Sequence, residues 1–272
     1  MSAYYHSLFV RQDGKVFAWE DNECGQCDVP QDLQNVVAVS VGDDHSVALT
    51  AEGTVRVWGS NDEGQCDVPK NLPPICDISA GSFNTFAVDN YGKIYLWGDC
   101  TFGQSNLIPD LPIIKRISSG DMHVLVLSAD GRVYSWGDNT HGQCDVPEGL
   151  GEIVAISSGD FHSMVLDSRG NVTVWGNNNF GQTDVPADVL QIKSISAGGC
   201  HCLALSADGR VFAWGRNQEK QCDVPSFEAS VVDIDAGGIH SLALLSDDTV
   251  RVWGDNEAGQ CNIPPEISAS TR

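Results

Sequence analysis

The chain has 272 residues, 42% of them hydrophobic, which is enough for a large buried core. It carries 15 Lys and Arg against 37 Asp and Glu, a formal net charge of −22. That balance excludes a general nucleic-acid binder, whose affinity rests on Lys and Arg neutralising phosphates, and it favours a protein partner with a basic or mixed surface.

The N-terminus enters in the middle of a repeat: Tyr4 to Val10 matches Gly238 to Leu244. Asp13-Gly14 is a hairpin dipeptide, because glycine accepts positive φ without steric cost. Val16-Phe17-Ala18-Trp19 is a strand run rich in β-branched and aromatic residues. A polar loop, Asp21 to Gln26, leads to Cys27-Asp28-Val29-Pro30, which is expected to be a short strand closed by proline. After a linker, Val36 to Gly42 forms another apolar strand, and at His45 the cycle restarts. Each unit thus offers four short strands, here A (as in Ile153 to Ser158), B (His162 to Leu166), C (Val172 to Trp175) and D (Gln182 to Val185).

The tryptophans carry the period. Trp19, Trp58, Trp97, Trp136, Trp175, Trp214 and Trp253 are each 39 residues apart, and a fixed period of this length marks a solenoid, a propeller or an array. Strand B runs such as Leu203-Ala204-Leu205 are apolar on both faces, as in a sheet packed between neighbouring sheets. The expected fold is therefore all-β: one domain over residues 1–272, a seven-bladed β-propeller of four-stranded antiparallel blades. The seventh strand A falls where the chain ends. Either Ile267-Ser268-Ala269-Ser270 pairs early or the last blade lacks a strand, and in both cases the two termini share a blade.

Gln stands seven places after every tryptophan and Asn three places after six of them. Both are expected to brace loops by satisfying backbone groups. The strand B histidines, His6, His45, His123, His162, His201 and His240, have Asn84 in their place in the third unit. A ring would spread them apart, so they are read as structural, bonding a loop carbonyl or Asn, and not as metal ligands. The tryptophans are expected to fill the interfaces between blades. Five of the ten cysteines sit at one repeat position, too far apart for disulfides, so the thiols are read as free and the compartment as reducing, cytoplasmic or nuclear. The opening residues lack a secretory pattern, and no apolar stretch approaches the roughly 18 residues of a membrane helix. No GxSxG, P-loop or HExxH is present, so no catalytic residue, cofactor or metal is assigned.

WGDNTHGQCDVP, together with SSGDFHSMVL and SADGRV, resembles the repeat of the regulator of chromosome condensation family. The resemblance covers nearly the whole chain and implies a β-propeller. The compact 39-residue form looks like the bacterial β-lactamase inhibitor built on this repeat. Family activities include guanine-nucleotide exchange on a small GTPase, histone binding and enzyme inhibition, and fold alone does not choose among them. Exchange factors of the family insert a β-wedge, for which the strict period leaves no room.

Propeller topology puts the A–B turns and the C–D loops on one face, and these vary from unit to unit. Binding usually resides in variable loops on a fixed scaffold. The expected partner-binding set is Tyr4, Tyr5, Asp43, Asp44, Asp62, Glu63, Phe83, Phe102, Asp121, Met122, Asp160, Phe161 and Phe180, an apolar group inside an acidic ring. The expected protein is a monomeric, non-catalytic interaction module, with enzyme inhibition and nucleotide exchange as alternatives.

Overall fold

The computed structural model describes residues 6–268. Two strands, β1 (His6–Val10) and β2 (Val16–Glu20), form the first sheet, and β3 (Val36–Val41), β4 (His45–Thr50) and β5 (Val55–Gly59) form the second. The third sheet is β6 (Ile75–Ala80), β7 (Asn84–Asp89) and β8 (Ile94–Gly98), and the fourth is β9 (Ile114–Ser119), β10 (His123–Ser128) and β11 (Val133–Gly137). The fifth is β12 (Ile153–Ser158), β13 (His162–Asp167) and β14 (Val172–Gly176), and the sixth is β15 (Ile192–Ala197), β16 (His201–Ser206) and β17 (Val211–Gly215). The seventh is β18 (Val231–Ala236), β19 (His240–Leu245) and β20 (Val250–Gly254), and one helical turn, α1 (Pro265–Ser268), follows.

All pairings are antiparallel. The first strands of the second to seventh sheets line a common channel, and the middle strands, such as β4, β7, β10 and β16, are buried along their whole length. The core therefore lies between sheets: Val47, Leu49 and Val55 of the second sheet pack on Ile75, Ile78, Ala87 and Trp97 of the third. Trp19 packs with Leu242, Val250 and Ile267, which joins the last sheet to the first. The seven tryptophans are 6–9% exposed, in the interfaces as expected.

The four-stranded expectation is corrected. The Gln-to-Val segment forms no ladder in any unit among the described residues, and its amides show why. In the fifth unit Asn178 Oδ1 accepts the Thr183 N–H at 3.0 Å, Gly181 O accepts that of Asp184 at 3.1 Å, and Thr183 O accepts that of Val185 at 3.1 Å. Pro186 has no N–H to give. The amides of Thr183, Asp184 and Val185 are thus used within the loop, in part by the competition that a short polar side chain offers to sheet pairing, and Val185 still packs against the core. Of the two alternatives for the C-terminal segment, early pairing is not seen at Ile267 and Ser268, which lie in α1 and not in a strand. Ala269 and Ser270 fall outside the described residues, and among those residues the first sheet has two strands.

The inner strands carry a feature unseen in the sequence. Each skips its second residue in the register with the middle strand. Val37, Cys76, Lys115, Val154, Lys193 and Val232 are therefore pushed into solvent as β-bulges.

Candidate functional site

The loop face begins with the C–D loops, each held by its own side chains. In the first unit Asn22 Oδ1 accepts the Cys27 N–H at 2.7 Å, its amide nitrogen donates to Asp28 at 2.9 Å, and Gln26 Oε1 accepts the Cys24 N–H at 2.9 Å. The six Asn and six of the seven Gln residues brace the loops, as expected; Gln104 of the third unit is the exception, its Oε1 buried without a partner. The A–B turns meet around the axis. A Cβ at Gly42 would lie 2.2 Å from the His45 ring and 2.4 Å from Gly81 O, and Gly120, Gly159 and Gly198 are equally crowded. Only glycine allows the turns to stack so closely.

Beneath the face runs a set of links between units. Ser46 donates its one hydroxyl proton to Gln26 O at 2.8 Å, so it accepts from His6 Nε2 at 2.9 Å. The ring is therefore the Nε2–H tautomer, and its Nδ1 has no partner. The same carbonyl accepts the Trp58 indole N–H at 2.9 Å. His45 meets Thr85, His123 meets Ser163, His162 meets Cys202, His201 meets Ser241, and His240 meets Ser7, the last bond joining the seventh unit to the first. Trp19 donates to Gln260 O at 3.2 Å across the same seam. The histidines are structural, but their partner is a hydroxyl or thiol of the next unit, not the loop carbonyl or Asn anticipated. Burial holds every ring well below the ordinary histidine value, to about 4 for His6 and His123 and about 3 for His45, His162, His201 and His240. In the third unit Asn84 turns to Asp99 O instead, and the position it would address is Val124. Both members of the link are replaced together.

Among the thirteen expected docking residues, Tyr4 and Tyr5 lie outside the described residues. Asp43, Asp121 and Asp160 line a depression of about 90 Å³ on the axis, where Ser82 donates to Asp121 at 2.7 Å. Burial and the nearby Asp121 carboxylate push the Asp43 carboxyl up to about 6. Asp44, Met122 and Phe161 sit one residue further along their turns, half-buried and off the axis. Asp62 and Glu63 are exposed, as are Phe83, Phe102 and Phe180 at 41–48%.

The C–D loop of one unit sits beside the A–B turn of the next, which brings Phe161 5.4 Å from His141, ring to ring. Arg216 lies over Phe180 at 5.6 Å and pairs with Glu219 at 2.7 Å. Both polar neighbours escaped the sequence reading of the site. His141 is the lone histidine off the repeat position, and Arg216 is basic where the other units have Asp, Ser or Asn. The apolar group is not inside an acidic ring. Carboxylates occupy the axis, and around it the side chains are sorted by sector. Seven off-axis carboxylates, Asp21, Glu23, Asp44, Asp62, Glu63, Asp255 and Glu257, fall in the seventh, first and second units, whereas the third to fifth hold two, Asp99 and Asp138, beside Phe83, Phe102, Met122, Phe161 and Phe180.

One residue breaks the repeat. Glu20 stands where six units have glycine, at φ 89°. Its carboxyl is fully buried 3.9 Å from His240 Nε2, with no hydrogen bond of good geometry at either oxygen and the Ser7 hydroxyl nearby as a weak stabiliser of its charge. Burial pushes it up to about 8, so it is protonated at pH 7 and makes no ion pair with the neutral His240. The cysteines are free thiols. Cys27 donates to Asp21 O at 3.2 Å, and burial pushes Cys27 and Cys222 up to about 12, far from the reactive thiolate range. Among the described residues no three His, Cys, Asp or Glu side chains converge on a metal position, and no helix is long and apolar enough to cross a membrane.

Solved structures share this architecture. Prp20p of Saccharomyces cerevisiae matches with a TM-score of 0.75 and 22% identity, covering 89% of this chain and 77% of its own. Human WBSCR16 matches at 0.77 and 20%, covering 90% and 86%. The CRINKLY ectodomain of the Arabidopsis thaliana receptor kinase ACR4 matches at 0.76 and 18%, covering 95% and 93%. At such identities the likeness is one of fold. No curated protein matches the sequence. The model of the RCC1-like domain does match, over residues 5–271, and with the seven-fold repeat and seven sheets, six of which line one channel, it places the chain in the RCC1-like domain family.

Proposed function

We propose that the protein is a non-catalytic interaction module that docks a protein partner on the A–B and C–D loop face. The observation that carries this is the segregation of charge. Among the described residues these loops hold two basic side chains, Arg216 and Lys220, whereas Arg11, Lys15, Lys93, Arg132, Arg169 and Arg210 cluster at the B–C turns of the other face. The same loops expose Phe83, Phe102 and Phe180 on a rigid, glycine-packed base. Exposed aromatics within a polar surround are the usual anchors of protein interfaces. Prp20p has binding properties toward Gsp1p and histones, which accords with a partner that is a protein. The buried, protonated thiols fit a reducing, cytoplasmic or nuclear setting, which belongs to the same proposal.

The test is differential capture from native lysate with four baits: the unaltered protein, Phe161→Ala with Phe180→Ala, Asp43→Asn with Asp44→Asn, and Arg132→Ala with Arg210→Ala. A partner kept by the last but lost by the two loop variants is expected. A partner that ignores all four loop changes and fails on the arginine pair would move the functional surface to the opposite face. Nucleotide release from a loaded small GTPase separates docking from exchange activity.

A further inference from the structure

The loop face is not uniform, and its division sets the chemistry of what fits it. The seventh, first and second units present carboxylates with no basic residue in their A–B turns and C–D loops. Away from the axis the third to fifth units present Phe83, Phe102, Met122, Phe161 and Phe180 with two carboxylates, Asp99 and Asp138, against seven in the acidic sector, and one fifth-unit loop reads Asn177-Asn178-Asn179-Phe180. The two sectors adjoin without a gap. A Cβ at Gly98 would touch Phe83 O at 2.5 Å and Gln65 Cα at 3.2 Å, so the loop carrying Asp62 and Glu63 abuts the turn carrying Phe83. On the axis, at the border of both, lies the carboxylate-lined depression, with room for a side-chain tip.

We propose that this face reads a two-part segment of a partner protein: a run of Lys and Arg laid over the acidic sector, followed directly by apolar or aromatic side chains set among Phe83, Phe102, Phe161 and Phe180. Charge complementarity selects the first part, since those carboxylates are uncompensated by any loop cation in their own units, and a long basic side chain at the junction reaches the axial depression. The apolar sector selects the second part, because aromatic surface on a rigid base gains most from an apolar neighbour that excludes water. The charged sector acts mainly on encounter and the apolar sector on residence. The ligand is a flexible strip and not a globular knob, because the central depression admits only a side chain and the turns around it are close-packed.

This rests on the docking face assigned above, and the test separates the two. The probes are three labelled synthetic peptides: a Lys/Arg block, a Leu/Trp block, and the two joined, read by fluorescence anisotropy at low and at physiological salt. Four proteins are compared: unaltered, Asp44→Asn with Asp62→Asn and Glu63→Gln, Phe161→Ala with Phe180→Ala, and, on the other face, Glu148→Gln with Glu152→Gln. Phe180→Ala alone serves where the double variant melts early, since Phe180 is an exposed loop residue. The joined peptide should bind at least ten-fold tighter than either block. The carboxamide variant should weaken the basic block and the joined peptide about ten-fold. The phenylalanine variant should weaken the joined peptide to the level of the basic block and leave that block unchanged. Equal affinity of the joined peptide and the basic block overturns the two-part reading. If the carboxamide variant still weakens the basic block, the docking face survives that failure. A basic block that responds equally to Glu148 and Glu152 shows diffuse attraction and overturns both. Absence of binding by all three peptides overturns the two-part reading, with the lysate capture then deciding the face.

Discussion

Glu20 offers the sharpest test of the physical account. Its carboxyl is buried without a hydrogen bond of good geometry, and desolvation, opposed only weakly by the Ser7 hydroxyl, raises its pKa from 4.5 to about 8. The folded state holds the proton more tightly than the unfolded state does. The group therefore costs nothing below about pH 4.5, and its penalty grows as pH rises to about 8 and is constant beyond. At about 1.4 kcal/mol per pH unit across that interval, the full penalty is on the order of 4 kcal/mol, and at pH 5 it is under about 1 kcal/mol. Glu20→Gln keeps the size and the backbone angle and removes only the ionisation. Glu20→Gly restores the residue of the other six units and also relieves a positive φ, worth about 1 kcal/mol at any pH. Urea unfolding at pH 8 and pH 5 measures both. Glu20→Gln should gain roughly 3 kcal/mol more at pH 8 than at pH 5, and Glu20→Gly should show the same pH increment above a higher base. An equal effect of Glu20→Gln at the two pH values would mean that the carboxylate is ionised and compensated in the fold, and the account of the first seam would be wrong.

Trp136→Ala, at a buried indole that bonds Gln104 O at 2.8 Å, should cost about 3–5 kcal/mol in thermal or urea unfolding; an unchanged midpoint would remove the tryptophan from the interface. The six buried histidines have folded pKa values below the unfolded 6.5, so their contribution is present above about pH 6.5 and is lost as pH falls toward 4. The raised carboxyls of Asp43, Asp44, Asp77, Asp233 and Glu20 oppose them but are five against six histidines, so unfolding near pH 5 should take up protons; a stability that rises on acidification from pH 6.5 to 4.5 would contradict this. Asn84→His with Val124→Ser should install the missing link, with a coupling of about 1 kcal/mol in a double-mutant cycle; additive single effects would show that the bond does not form. Native-state alkylation at pH 8 should label the exposed Cys24 and Cys76 well before Cys27 and Cys222, as mass spectrometry would report.

Most of the fold was legible because the period is so strict. The tryptophan spacing gave the number of sheets, and the apolar runs gave β2, β3 and β12 to β14 to within a residue at each end. Cys-Asp-Val-Pro misled because it has strand composition, while its hydrogen bonds are decided by Asn178 and its counterparts several residues upstream. The bulge at Val37 and its equivalents leaves no mark in composition, since both valine and lysine occupy it. The face was legible as a list of side chains but not as a map. His141 and Phe161 are 20 residues apart in sequence and in different units, and only the placement of one loop beside the next turn makes them neighbours. Glu20 was readable in principle, because six glycines in the same column point to it, but its burial depends on the seam with the last unit.

The doubly replaced link at Asn84 and Val124 bears on how such a chain can be rearranged. Each seam is a matched plug and socket, with a histidine on one unit and a hydroxyl or thiol on the next. Whole units could therefore be copied, deleted or transplanted without rewriting their neighbours, provided each plug still meets a socket. The third and fourth units are the exception. Inserted elsewhere, the third would leave a serine without its donor, and the fourth would set valine against a histidine with nowhere to give its proton. These two units travel as a pair or not at all, which makes them a fixed joint in an otherwise interchangeable series.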